Sequence, residues 1–374
     1  MKNIRALLVY ISILILAINY LLYHTINNYI YKDVLRIIAL SMLLFSIIVN
    51  RKIKISNALI AIIAYLLFGV LIGSTLSYNL LFIILIIYAI SYNCKVDKVK
   101  NRLFIISTIC IILYVLFYKL GIIQNTITNY SGRIRNTLGF DNVNALSIIV
   151  ISFVCLLSCN CQKMRKIVNL LILVGIIIIT KYTDSRTLLY STIAYISVDF
   201  IINNKIGKKI VNKLFSNTIF RYLFLIVTFF SPLLILAITH INSAIDIFLS
   251  YRGTILSNYI HSQNIINFLF GLSTNSEIDN SYILLFFAIG IIGYAYIIKL
   301  FSNFFKIQKN IKYYPTIITM LLYGITEGVL IRPESILSVY FWYLIFTSTE
   351  LFKYMDEEEI EEKFFCDKEE KNEI

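Results

Sequence analysis

The sequence predicts an all-α, polytopic membrane protein, and three observations carry that prediction. Of 374 residues, 59% are apolar and 15% charged, whereas a soluble domain carries about 25% charged residues. Apolar runs of about 16 to 20 residues recur from end to end, each long enough to cross a hydrocarbon core of about 30 Å as a helix. The runs are continuous rather than alternating, so they suit helices and not barrel strands, and lipid admits nothing else because it cannot hydrogen-bond an open backbone. A soluble globular enzyme is excluded.

Twelve spans are expected, near residues 4–22, 34–49, 55–72, 78–92, 103–119, 143–160, 167–180, 187–202, 219–238, 281–298, 313–331 and 335–352. The basic, apolar start lacks a small-residue cleavage pattern after Leu22, so it reads as a retained first helix rather than a signal peptide. With the amino terminus inside, 25 Lys and Arg residues fall on cytoplasmic loops and termini and nine outside, which the positive-inside rule favours. The bacterial plasma membrane is the expected location, with both termini cytoplasmic. The net charge of +13 is accounted for by this topology, and no nucleic-acid partner is expected.

Residues 1–352 form the expected transmembrane domain, with one large outer loop over 239–280. The last 22 residues hold ten acids and four lysines, so 353–374 reads as a separate, disordered cytoplasmic tail, a candidate docking segment for a chain-length regulator or another assembly partner. The six cysteines have no metal spacing and fall in apolar runs or cytoplasmic segments, so no disulfide framework is implied.

Arginine dominates the basic residues expected outside: Arg133 and Arg135 in one loop, Arg186 in a tight turn, Arg252 in the long loop and Arg332 beside Pro333. Orientation needs only charge, which lysine supplies, but a planar guanidinium grips phosphate oxygens two at a time. That bias points to an anionic ligand. The alternative for each arginine is pairing with Asp141, Asp184, Glu327 or Glu334.

Within the long loop, Ile245, Phe248, Leu249, Ile255, Leu256, Tyr259 and Ile260 follow a helical period, as expected of an amphipathic helix at the membrane surface. Arg252 lies on its apolar stripe and should face a partner. His261 is nine positions on, about 180° away at 100° per residue, so one helix aims both at one site only if it breaks, with Gly253 the obvious place. Otherwise His261 is a surface histidine. Elsewhere, Thr183-Asp184-Ser185-Arg186 opens the eighth span: a helix amino terminus beside an arginine is an anion seat suited to diphosphate. Plain capping by Asp184 or Ser185 is the alternative.

These features resemble the integral-membrane oligosaccharide repeat-unit polymerases and O-antigen ligases of bacterial surface polysaccharide assembly. The likeness covers most of the chain. It rests on Gly139-Phe140 before Asn144-Ala145, on Asp184-Ser185-Arg186 between two helices, and on Arg252 in a late outer loop. Gly271, then Asp279-Asn280-Ser281-Tyr282 leading into a helix with Gly290 and Gly293, complete it. The resemblance implies transfer of a growing glycan from a polyprenyl diphosphate to the sugar end of another lipid-linked unit, with a flippase supplying those units. It assigns Arg186 and Arg252 to the departing diphosphate, while Arg133, Arg135 and Arg332 hold the second lipid diphosphate or steer acidic sugars. Asn144, Ser185 and Asn280 belong to the substrate-binding set. His261, Asp279 and Glu327 are the candidate bases. The chain has no Asp-x-Asp pair, so neither metal nor other cofactor is expected.

Two other readings compete. A flippase of the lipid-linked unit also suits twelve spans and a cationic cavity, but no half repeat is visible in the sequence. A ligase shares every residue named and differs in its acceptor, lipid A core. The topology has a direct check: a cysteine at Ser262 should react with an impermeant thiol reagent added outside intact cells, and one at Lys100 should not.

Overall fold

The computed structural model describes residues 2–26, 29–48, 57–93, 96–130, 133–249, 251–271, 273 and 278–348. The acidic tail beyond residue 352 lies outside them. Among the described residues, seventeen α-helices and one hairpin follow in chain order. The first five helices are α1 (Lys2–Ile26), α2 (Tyr29–Ile48), α3 (Asn57–Leu71), α4 (Thr75–Asn93) and α5 (Val96–Lys119). Strands β1 (Ile127–Tyr130) and β2 (Arg133–Asn136) precede α6 (Val143–Asn160), α7 (Arg165–Thr183), α8 (Arg186–Asn203) and α9 (Lys205–Ser216). Then come α10 (Thr218–Phe229), α11 (Ser231–Ile241), α12 (Ser243–Phe248), α13 (Arg252–His261) and α14 (Ile265–Phe270). The chain continues through α15 (Ser281–Lys306), α16 (Tyr314–Thr326) and α17 (Ile336–Ser348).

Within the described residues each expected apolar segment overlaps helix, while residues 49, 55–56 and 349–352 of those segments lie outside the described residues. Among the described residues, five helices are long and apolar enough to cross a membrane, or six if α9 and α10 form one bent span. Peripheral helices show what such a protein needs: α7 leaves Ile167, Leu170, Leu171, Val174, Ile177 and Ile178 exposed, an apolar face that water does not tolerate at this extent. By contrast α17 is buried on every side from Ile336 to Phe346, as befits a core helix, and it touches α4, α5, α6, α15 and α16.

Among the described residues the chain departs from uniform helices at several places, each with a local cause. Antiparallel β1 and β2 pair Thr128 with Arg135, a short hairpin within an otherwise helical fold. Helices α9 and α10 meet at 87°, where the Arg221 side chain donates to the Phe215 and Ser216 carbonyls at 2.8 and 3.0 Å, satisfying the last acceptors of α9. The segment 219–238 divides at Phe230, because Pro232 opens α11. The segment 313–331 leaves the α-helix after Thr326, and a 3₁₀ turn over Val329–Ile331 carries the chain to α17.

Helix α15 carries a break of its own. Gly290 adopts φ 65° and ψ −177° inside it, and where the helical ladder is interrupted the Phe287 carbonyl accepts from the Ser273 N–H at 3.0 Å. Gly271, itself at φ 72°, lies so close that a Cβ there would stand 2.6 Å from the Gly290 nitrogen. A Cβ on Gly290 would stand 2.3 Å from the Leu269 carbonyl oxygen. Neither backbone can retreat without losing the Ser273 bond. Gly290→Ala should therefore cost about 1–3 kcal/mol and lower the thermal unfolding midpoint in detergent; an unchanged midpoint would contradict the close approach.

Candidate functional site

At one end of the bundle the amino termini of α6, α8, α13 and α15 meet the carboxyl end of α16 around a cavity of about 850 Å³. Arg135, Arg186, Arg252 and Arg332 all line it, and so do Asn144, Ser185, Asp279 and Asn280. Residues spread over about 200 positions of sequence thus converge on one space. Asp141 and Asp184 join the same wall, and Ile235, Leu249, Ile255, Leu322 and Ile325 supply an apolar one.

The α6 edge is set by a buried strut. Gly139, at φ 88°, sits where a Cβ would strike the Ile123 side chain at 2.0 Å, and the adjoining Phe140 ring packs 5.2 Å from Tyr114. Tyr114 donates to the Leu138 carbonyl at 2.8 Å. Asn142 caps α6 by accepting from the Asn144 N–H at 2.9 Å, which seats Asn144 on the cavity rim. Asp141 is drawn toward α1, 2.9 Å from His24 Nδ1.

At the α7–α8 turn, Asp184 takes a left-handed conformation at φ 51°. The Ser185 hydroxyl meets that of Ser147 at 2.8 Å, so no side-chain cap bond forms at α8. Its amino terminus, which carries partial positive charge, opens on the cavity through Ser185, Arg186 and Thr187.

Arg252 is held on several sides. It begins α13, directly after Tyr251 at φ 59°. Its guanidinium donates to the Thr326 carbonyl, to the Asp279 carbonyl at 3.3 Å and to Glu327 Oε1 at 3.1 Å. The Glu327 side chain is 3% exposed, and a carboxylate so far from water needs this partner. From the sequence, Glu327 is a candidate base or the partner of an outer arginine, Arg332 being five residues away. The structure gives it to Arg252 instead. Arg332 lies 3.7 Å from Asp279 Oδ1, and Glu334 pairs with Arg36 of α2, whose Nε donates to Oε1 at 2.5 Å.

The motif before α15 is a set of braces. Asn280 accepts from the Tyr282 and Ile283 N–H groups at 3.1 and 3.0 Å and donates to the Ile325 carbonyl at 2.7 Å. Ser281 donates to the Glu327 carbonyl at 2.5 Å and accepts from the Leu330 N–H at 3.0 Å. Tyr282 donates to the Leu321 carbonyl at 2.5 Å. Together they hold the end of α16 against the start of α15, fixing the Glu327 carboxylate under Arg252.

One candidate residue, His261, is not part of this assembly. His261 is exposed at the far end of α13, which runs unbroken from Arg252, so the two residues face opposite ways and His261 does not line the cavity. Gly253 does not break the helix; it lets α13 approach α11, where a Cβ would stand 2.0 Å from Thr239 Oγ1. The expected single amphipathic helix divides earlier, between α12 and α13. Arg133 opens β2, but its side chain lies outside the described residues.

Other polar residues did not stand out in the sequence. Asp246 accepts from the Gly253 N–H at 2.8 Å, from the Thr254 N–H at 3.3 Å and from the Thr254 hydroxyl at 2.6 Å. It caps α13 from seven positions upstream, across the turn, rather than from the residue directly before the helix, where a cap ordinarily sits. At the opposite end, Asp199 pairs with Arg165 and accepts from Asn169 at 2.8 Å. Among the described residues, no cluster of three or more His, Cys, Asp or Glu side chains forms a metal site.

Compared with known protein families, with curated proteins and with solved structures, the chain matches none. The fold and cavity define a class: a helical, multi-pass membrane protein with an arginine-lined cavity at one end of its bundle. Asp246→Ala should strip the α13 cap, a loss of about 1 kcal/mol, and speed amide exchange at Gly253 and Thr254 severalfold; unchanged exchange would remove Asp246 from that role.

Proposed function

We propose that the protein polymerises polyprenyl-diphosphate-linked oligosaccharide repeat units into a surface polysaccharide at the outer leaflet of a bacterial plasma membrane. The observation that carries this reading is the convergence of Arg135, Arg186, Arg252 and Arg332 on one cavity. Cytoplasmic termini and twelve spans, with residues 239–280 on the outer side, would open that cavity outward. A cavity at helix ends also suits group transfer better than carriage across the membrane, for which a site near the midplane is expected.

In the proposed reaction an acceptor hydroxyl oxygen attacks the anomeric carbon of the growing chain. The bond from that carbon to the diphosphate oxygen breaks, and the lipid diphosphate leaves with the electron pair. Arg186 at the α8 amino terminus and Arg252 gather the developing charge, which is electrostatic stabilisation where charge appears. Arg135 and Arg332 serve the second lipid diphosphate, with Asn144, Ser185 and Asn280 shaping the wall. The hydroxyl proton passes to a base. Of His261, Asp279 and Glu327, only Asp279 lines the cavity, so it takes that role, while Glu327 holds Arg252.

Purified protein supplied with a polyprenyl-diphosphate-linked repeat unit and no nucleotide should produce a ladder of lengthened glycans. A single unextended band would count against polymerisation, and extension only onto lipid A core would make the protein a ligase. Arg252→Lys keeps the charge and loses the fork; extension should fall by about 10²–10³ with membrane insertion intact. Undiminished chain growth in that variant would exclude Arg252 from the site.

A further inference from the structure

Helix α14 presents an apolar face that the cavity does not use. Ile265, Ile266, Leu269 and Phe270 are 77%, 62%, 50% and 51% exposed, and on α15 Ile291 and Ile292 are 54% and 75% exposed. The inner side of α14 is fixed: Phe268 packs 5.1 Å from the Phe287 ring, and Gly271 is held against Gly290 and Ala288 backbone. The height of this face can therefore be read along α15.

Gly290 lies 16 residues from Lys306 and nine from Lys299, hence about 24 Å and about 14 Å along the helix at about 1.5 Å per residue. Charged ends mark the edge of the hydrocarbon. Taken from either lysine, Gly290 falls short of the about 30 Å that the apolar core spans. A face held at that level and bared of polar groups has acyl chains as its solvent. The break at Gly290 agrees, since non-helical backbone at such depth must be satisfied by protein, as the Ser273 N–H satisfies Phe287.

We propose that α14 is a lipid-inserted anchor: a short helix latched through Gly271 to the α15 break, with Ile265, Ile266, Leu269 and Phe270 against acyl chains rather than in an aqueous loop. The anchor holds α13, and with it Arg252, at a fixed height over the bilayer. This does not depend on the polymerase reading.

The test is spin labelling of the full chain, in a background with its native cysteines replaced, reconstituted into phospholipid vesicles. Labels at Ile266→Cys and Leu269→Cys, both on exposed positions, are compared with one at the exposed Ser262→Cys. Collision with dissolved oxygen, which partitions into hydrocarbon, is measured against collision with a polar nickel chelate, which does not. The oxygen-to-chelate ratio at both positions should exceed that at Ser262 by about fivefold or more. A smaller excess at either position overturns the proposal. So does weak collision with both reagents, the result expected if a protein partner or a second copy of this chain covers α14.

Discussion

One guanidinium holds together three stretches that the chain brings in from far apart. Arg252 opens α13, yet its hydrogen bonds end on the Thr326 carbonyl at the close of α16, on Glu327 just beyond it and on the Asp279 carbonyl before α15. Neither partner of the Arg252–Glu327 pair is cheaply left alone. With 3% of its side chain exposed, Glu327 without Arg252 is a bare carboxylate out of water, and losing one member of such a pair costs about 3–5 kcal/mol. The pair therefore fixes the position of Arg252 more than it adds net stability, and that position is on the cavity wall.

Around this pair the polar side chains serve backbone. Asn280, Ser281 and Tyr282 tie one helix start to the end of another, while Trp342 and Ser338 of α17 both donate to the Leu330 carbonyl, at 2.7 and 3.1 Å. A non-helical link such as 327–335 survives among apolar helices only if its carbonyls and N–H groups find partners. The consequence for the cavity is rigidity: Arg332 and Asp279 hang from a frame that has little freedom to move, which is what preorganised charge stabilisation requires.

Helices were legible in the residues because an apolar run is a local signal, and α15 and α17 needed nothing else. Arginines at helix ends were legible for the same reason. Their meeting was not, since nothing local relates Arg186 to Arg252, and no spacing announces that Glu327 would choose Arg252 over Arg332. The division of the long loop at Tyr251 also escaped notice: a left-handed tyrosine is disfavoured on its own and is tolerated here beside the Asp246 bonds to α13. Gly253 was misread because a glycine signals either a break or a close approach, and only the position of Thr239 distinguishes them. The hairpin at 127–136 was missed because four-residue strands leave too short an alternation to register.

The central claim is that these arginines together form a seat for diphosphate on a lipid. It is tested most directly by binding, free of any turnover: farnesyl diphosphate and farnesyl monophosphate titrated into the purified protein in lipid nanodiscs, with Arg186→Gln and Arg252→Lys alongside. The account predicts that the diphosphate binds more tightly than the monophosphate, and that each substitution weakens it by about tenfold, or about 1.4 kcal/mol. Equal affinity for the two ligands, or unchanged affinity in both variants, would contradict it.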